Sequence, residues 1–224
     1  MNFQSIIHAT QASGGVLYVM MVFLFIALTV IIEREWYLRT ALSQGKSVID
    51  EIETSDHIDT AVLNAIALKY PNLPHAAVIK VALRHDTGHD FDRFPDKLDE
   101  SIMKSAPRID RFLWILDTIV TMAPLLGLLG TIIGMFNAFH VLGNPGSAPN
   151  KITGGVAEAL IATASGLCIA IIGLFFFNNL NNRARVVMHQ LETLKLMLAN
   201  RMHTRYQQQK DVVRPIKNQA GAAR

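Results

Sequence analysis

Three long stretches with almost no charge constrain this chain more than any other feature. Gly14 to Ile32 contains no Asp, Glu, Lys or Arg, Phe112 to Phe139 contains only Asp117, and Ile152 to Leu180 contains only Glu158. Each reaches the roughly 20 residues that a helix needs to cross a hydrocarbon core of about 30 Å. Hydrophobic residues make up 50% of the 224 positions, more than one soluble core of that length ordinarily carries. The sequence therefore predicts an all-α integral membrane protein with transmembrane helices at 14–32, 112–139 and 152–180. The second and third runs exceed the minimum, so they are expected to tilt or to continue as helix beyond the bilayer.

The basic residues orient these spans. Of 21 Lys and Arg, 11 fall between 33 and 111 and 9 between 181 and 224, whereas 140–151 has only Lys151 and 1–13 has none. Positive charge accumulates on the cytoplasmic side. This predicts an N-terminus (1–13) outside, a cytoplasmic helical segment (33–111), a loop (140–151) outside and a cytoplasmic basic tail (181–224). The first span has no basic residue before it and Glu33-Arg34-Glu35 after it, so it reads as an anchor and not as a cleaved leader. The tail, with 9 basic and 2 acidic residues, suits anionic lipid headgroups better than nucleic acid.

Chemistry that needs reactive clusters finds little support. The single cysteine, Cys168, excludes an internal disulfide and leaves no thiolate metal set. His85 and His89 are four apart beside Asp86 and Asp90, but a solvated charged turn accounts for TGHDFDRFP without a metal. GLLGTIIG has the wrong spacing for a dinucleotide fingerprint. No nucleophile elbow or paired-carboxylate site is present, so no enzyme, cofactor or metal centre is expected.

Outside the spans the pattern is helical. Ala61, Val62, Ala65, Ile66 and Leu68 recur near a 3.6 period before the breaker KYPNLPH, and Ala76 to Leu83 opens a second apolar run. Val187, Leu191, Leu194, Leu198 and Met202 form a stripe that continues from the third span, predicting one long helix. The final QQQKDVVRPIKNQAGAAR has no stripe and is expected to be disordered.

Within the second span, MAPLLGLLGTIIGMFNAF carries a proline and three glycines. Ala123, Gly127, Gly130, Thr131, Gly134 and Ala138 gather on one face, while Leu126, Leu129, Ile133 and Phe136 point elsewhere. In the third span, Gly155, Glu158, Ala159, Ala162, Ser165, Gly166 and Gly173 share one arc with Thr163 and Ala170 on its flank. Leu160, Ile161, Ala164, Leu167, Cys168, Ile171 and Phe175 lie opposite. In lipid, association rests on close backbone approach, so small residues are contact surface. Two such seams per chain suggest the lining of an oligomer around a narrow interior. Pro124 withholds one backbone donor and frees the carbonyl of Val120, which a neighbour, hydroxyl or water must satisfy.

Glu158 admits two readings: a functional intramembrane acid, or an interfacial acid stabilised by the helix N-terminus and water. Asp117, at the other end of the second span, reads as a snorkelling acid. Thr131 and Thr163 either serve a polar path or bond to helix backbone alone. Neither titrates near neutral pH, so any proton path needs a titratable group from a partner.

APLLGLLGTIIGMFNAF followed by GGVAEALIATASGLCIAIIG resembles the paired signature of the MotA/TolQ/ExbB proton-channel family, in its three-span ExbB and TolQ branch. The resemblance is strongest from about 112 to 182, and residues 33–111 match only in general character. MotA-type stators have four spans, and this chain has three. The resemblance implies a homopentamer enclosing the helices of a dimeric ExbD- or TolR-like partner, whose intramembrane aspartate takes up protons. It places the family's pore-facing threonines at Thr131 and Thr163 and its glutamate at Glu158; the packing seam, read from residue size and spacing, is Gly127, Gly130, Gly134, Ala159 and Gly166. Proton motive force would then act on a TonB-like or TolA-like protein that reaches across the periplasm. The ExbB-like branch is favoured, although the shared motifs do not separate it from TolQ. IIGLFFFNN departs from the family's proline-containing end of the third span. Outside this family stand a transporter that binds a small solute at the seams and a pure scaffold.

Overall fold

A computed structural model describes residues 15–55, 60–85, 93–142 and 149–221. Six helices account for nearly all of them: α1 (Val16–Thr54), α2 (Thr60–Lys69), α3 (Pro74–His85), α4 (Phe94–Ile109), α5 (Leu113–Leu142) and α6 (Pro149–Gly221). Among the described residues there is no strand. Helices α1, α5 and α6 are each long and apolar enough to cross a membrane. The protein is an all-helical membrane protein.

The chain forms two compact units. The first takes the described residues up to Trp36 together with Arg111–Asn181; the second takes Tyr37–Asp110 and the chain from Asn182. The first unit is therefore built from the apolar parts of α1, α5 and α6. Its outward faces carry Phe25, Ile32, Leu125, Phe136, Ile171 and Phe175, all exposed, as lipid-facing side chains would be.

In the second unit the core is one continuous apolar cluster. Leu38, Val48 and Ile52 of α1, Val78 and Ile79 of α3, Leu98 and Ile109 of α4, and Leu191, Leu194 and Leu198 of α6 are all buried to within 1% exposure. The stripe from Val187 to Met202 is thus the face that closes this core. Helix α6 runs as a single helix of 73 residues. It continues past Met202 to Gly221, where disorder was expected.

Two other expectations change. Helix α2 buries Leu63, Ile66 and Ala67 and exposes Leu68, so only Ile66 of the proposed stripe faces inward. The helix is apolar nearly all round, and periodicity does not choose its face. Helix α4 was not anticipated as such, yet Phe94, Leu98, Ser101, Ile102, Ser105 and Ile109 form its buried face at helical spacing.

Polar clamps fasten α6 within this unit. Lys195 Nζ donates to both oxygens of Asp99 at 2.6 and 2.5 Å. Arg201 donates to the carbonyls of Ile52, Glu53 and Ser55 at 2.7, 3.2 and 2.8 Å. Those carbonyls belong to the last turn of α1 and the residue after it, where acceptors have no partner inside the helix. The cation also opposes the negative end of the helix dipole.

His75 is wholly buried against the same core. Its ring sits so close to α1 that a Cβ on Gly45 would lie 2.4 Å from Cε1 and 2.6 Å from Oε1 of Gln190. Gln190 in turn donates to the carbonyl of Leu42 at 3.3 Å. Burial penalises the imidazolium and pushes His75 down to about 4, with Gln190 partly opposing the shift. The folded protein therefore holds a neutral ring, while the unfolded chain takes a proton near pH 6.5. Stability from this site is complete above pH 6.5 and falls away as pH drops from 6.5 toward 4, by about 3 kcal/mol in all. Thermal melting of the wild type and of His75→Leu at pH 7.5 and 4.5 checks this. The variant should lose much less stability than the wild type between the two pH values, and equal losses would show that His75 does not carry the effect.

Candidate functional site

In the membrane unit, α5 and α6 pack antiparallel through their small residues. A Cβ on Gly155 would meet Ala138 Cβ at 3.2 Å, one on Gly134 Ala159 Cβ at 2.7 Å, and one on Gly130 Ala162 Cβ at 2.8 Å. One on Gly127 would lie 3.0 Å from Thr163 Cα, and one on Gly166 2.4 Å from the carbonyl oxygen of Ala123. The five contacts step along both helices in register. Ala123, Ala138, Ala159 and Ala162 are buried to within 5% exposure. The two seams face each other inside one chain. Two glycine- and alanine-rich faces complement one another at a distance that bulkier faces cannot reach.

Both threonines sit at the edge of this seam, half-buried. Thr163 Oγ1 donates to the carbonyl of Gly127 at 2.9 Å and lies 3.3 Å from Thr131 Oγ1. Thr131 donates to the carbonyl of Leu128 at 2.7 Å. The result is a small neutral cluster of oxygens, two hydroxyls and two carbonyls, within an apolar span. Its remaining lone pairs can accept a hydrogen bond from a protonated group brought from outside the chain. It holds no acid or base.

Glu158 is on the same helix, half-buried, about 7.5 Å along the axis from Thr163. Among the described residues it has no hydrogen bond or ion pair, so the structure joins the two threonines and leaves the carboxylate outside their contact. Asp117 is exposed. Of the proposed seam residues, Gly127, Gly130, Gly134, Ala159 and Gly166 all lie in the α5–α6 contact. The described residues contain no cluster of His, Cys, Asp and Glu fit for a metal, and the proposed partner of His85, His89, lies outside them.

Sequence reasoning missed the polar collar where α5 begins. Phe112 adopts φ 65°, a left-handed conformation that is strained by about 1 kcal/mol for a residue with a Cβ. Arg111 and Arg34 hold their guanidiniums 4.4 and 5.6 Å from its ring centre. Arg34 is only 2% exposed and donates to both oxygens of Glu33 at 2.6 and 3.0 Å. Cation–π attraction from two guanidiniums to this half-buried ring offsets the backbone strain. The signal was the Glu33-Arg34 pair itself, a charge too close to an apolar span to be left unpaired.

The fold and site define a class: a helical membrane protein whose hairpin seam holds hydroxyls but no titratable group at its centre. Comparison with known proteins narrows it. The family model for the MotA/TolQ/ExbB proton channel family matches residues 71–193. A relative from Synechocystis named putative biopolymer transport protein ExbB-like 3 is 32% identical, over 74% of this chain and 80% of that protein. The biopolymer transport protein ExbB of Neisseria gonorrhoeae is 31% identical over 51% of each chain. The chain belongs to the MotA/TolQ/ExbB proton channel family, on its ExbB-like side.

Proposed function

We propose that this chain is a stator subunit of a bacterial inner-membrane complex that converts proton motive force into work on a periplasm-spanning protein. Five copies surround a dimer of an ExbD-like or TolR-like single-span protein, whose aspartate carries the proton. The N-terminus faces the periplasm, and the second unit and tail face the cytoplasm, in accord with the distribution of Lys and Arg. The output is a TonB-like protein serving outer-membrane transport; in the nearest variant it is a TolA-like protein serving envelope integrity. No covalent chemistry is involved.

The observation that carries this is the Thr131–Thr163 pair. It offers hydrogen-bonding oxygens in the middle of a span and no group that exchanges protons, so the acid must arrive on another chain. Protonating that acid lowers the cost of moving it past the apolar wall; deprotonating it restores its preference for hydroxyls and water. Each proton that moves down the gradient then favours one position of the inner helices over the next. Glu158 lies on the same helix toward the proposed periplasmic mouth, where a carboxylate attracts cations.

Extraction of the carboxyl-terminally tagged chain from native membranes, with the mass and composition of what co-purifies, tests the proposal. Five copies with a small single-span protein bearing an intramembrane Asp are expected, and a TonB-like or TolA-like companion selects the output. The chain alone, in low or variable copy number, would overturn it in favour of a transporter or scaffold.

A further inference from the structure

The second unit carries a groove that the energising reading does not use. It lies where α3 and α4 pack together, encloses about 330 Å³, and is lined by Val81, Arg84, Lys97, Glu100, Ser101 and Lys104. That volume is at the lower end of the range for small-molecule sites. Lys97, Ser101 and Lys104 are spaced 4 and 3 apart, which stacks them on one face of α4. Arg84 comes from the last turn of α3.

The charge here runs against its surroundings. Residues 33–111 hold 11 basic and 14 acidic side chains, yet three cations and one carboxylate line this groove. Glu100 pairs with Lys104, which holds its carboxyl below the ordinary glutamate range, with Lys97 adding a smaller pull in the same direction. Arg84 and Lys97 have no ion-pair partner in the described structure. Ser101 is 8% exposed and adds a hydroxyl at the floor. Two cations with no ion-pair partner among the described residues, a third on the rim and a hydroxyl below suit a compact dianion. An arginine fork and a mobile ammonium together recognise the oxygens of a phosphate group.

We infer that the α3–α4 groove binds a phosphate monoester or diphosphate group, with Arg84 and Lys97 as its principal contacts, Ser101 as a hydrogen-bond donor and Glu100 as a brake on affinity. The group can arrive on a soluble compound or on a lipid headgroup. Inorganic pyrophosphate serves as the soluble probe, titrated calorimetrically at low ionic strength into the full chain in phosphatidylcholine nanodiscs. Binding should weaken about tenfold or more in the Arg84→Ala/Lys97→Ala double variant. It should tighten about threefold in Glu100→Gln, which removes a like charge from the rim. Arg39→Ala/Lys46→Ala, which removes two exposed cations elsewhere in the same unit, should leave it unchanged.

Nanodiscs containing phosphatidic acid distinguish the sources. Unaltered pyrophosphate binding there assigns the site to a soluble ligand, and competitive loss assigns it to a headgroup. Absence of pyrophosphate binding in phosphatidylcholine nanodiscs, equal affinity in the Arg84/Lys97 variant, or equal weakening in the control variant would overturn the inference. Melting curves confirm that each variant is folded, and Glu100→Gln tests the site without removing a cation.

Discussion

Gly166→Ala should destabilise the membrane unit by about 2–3 kcal/mol, the scale of forcing one methyl group into a packed contact. The same change at Gly154 should be nearly neutral. Both glycines lie on α6, and both substitutions raise helix propensity by the same small amount. They differ in what the new carbon meets. At Gly166 it lies 2.4 Å from the carbonyl oxygen of Ala123 and 3.2 Å from Gly127 Cα, which are backbone atoms of α5 that no rotamer change can move aside. At Gly154 nothing lies within 4 Å. Thermal melting of both variants in the same detergent, beside the wild type, compares them directly. Equal stability would mean that α5 and α6 do not pack through this seam. Gly130→Ala is an intermediate case, because its new carbon meets the Ala162 side chain at 2.8 Å and Val16 at 3.5 Å.

That contrast also marks how far the sequence alone can be read. The spacing of Ala123, Gly127, Gly130, Gly134 and Ala138, and of Gly155, Ala159, Ala162, Gly166 and Gly173, identifies two faces correctly, because the helical period and residue size are local properties. Which surface each face meets is not local. The partner seam is in the same chain, a result of antiparallel register that no single helix encodes. Helix α6 was legible beyond its span because the Val187–Met202 stripe is long and regular. Helix α2 was not, since it is too uniformly apolar for a period to choose its face. The α3–α4 groove depends on where Arg84 falls beside Lys97 after packing, although the two are 13 positions apart in the chain. Phe112 gives no warning of its left-handed backbone, since ordinary statistics assign that conformation to glycine.

Thr163→Val is the sharpest test of the site, and it rests on the proton-coupled reading. Valine keeps the shape and removes the hydroxyl, so the seam at Gly127 and Ala162 should pack as before. What disappears is the bond to the carbonyl of Gly127 and the contact with Thr131. One hydrogen bond contributes about 1 kcal/mol to stability, too little to unfold the hairpin. The effect on transport should be larger, because an acid from the partner then faces an apolar wall at its least solvated position. Proton flux into proteoliposomes that hold the chain with its co-purified partner should fall about tenfold or more, equivalent to ~1.4 kcal/mol on the barrier. Thr163→Ser should restore it, since serine offers the same oxygen with one methyl group fewer. Full flux in Thr163→Val would assign the hydroxyl to helix packing alone. Loss of flux in both variants, with assembly intact, would show that the oxygen alone does not suffice and that the methyl group's packing is required beside it. Recovery in serine alone separates chemistry from shape, because both variants leave the backbone carbonyl of Gly127 in place.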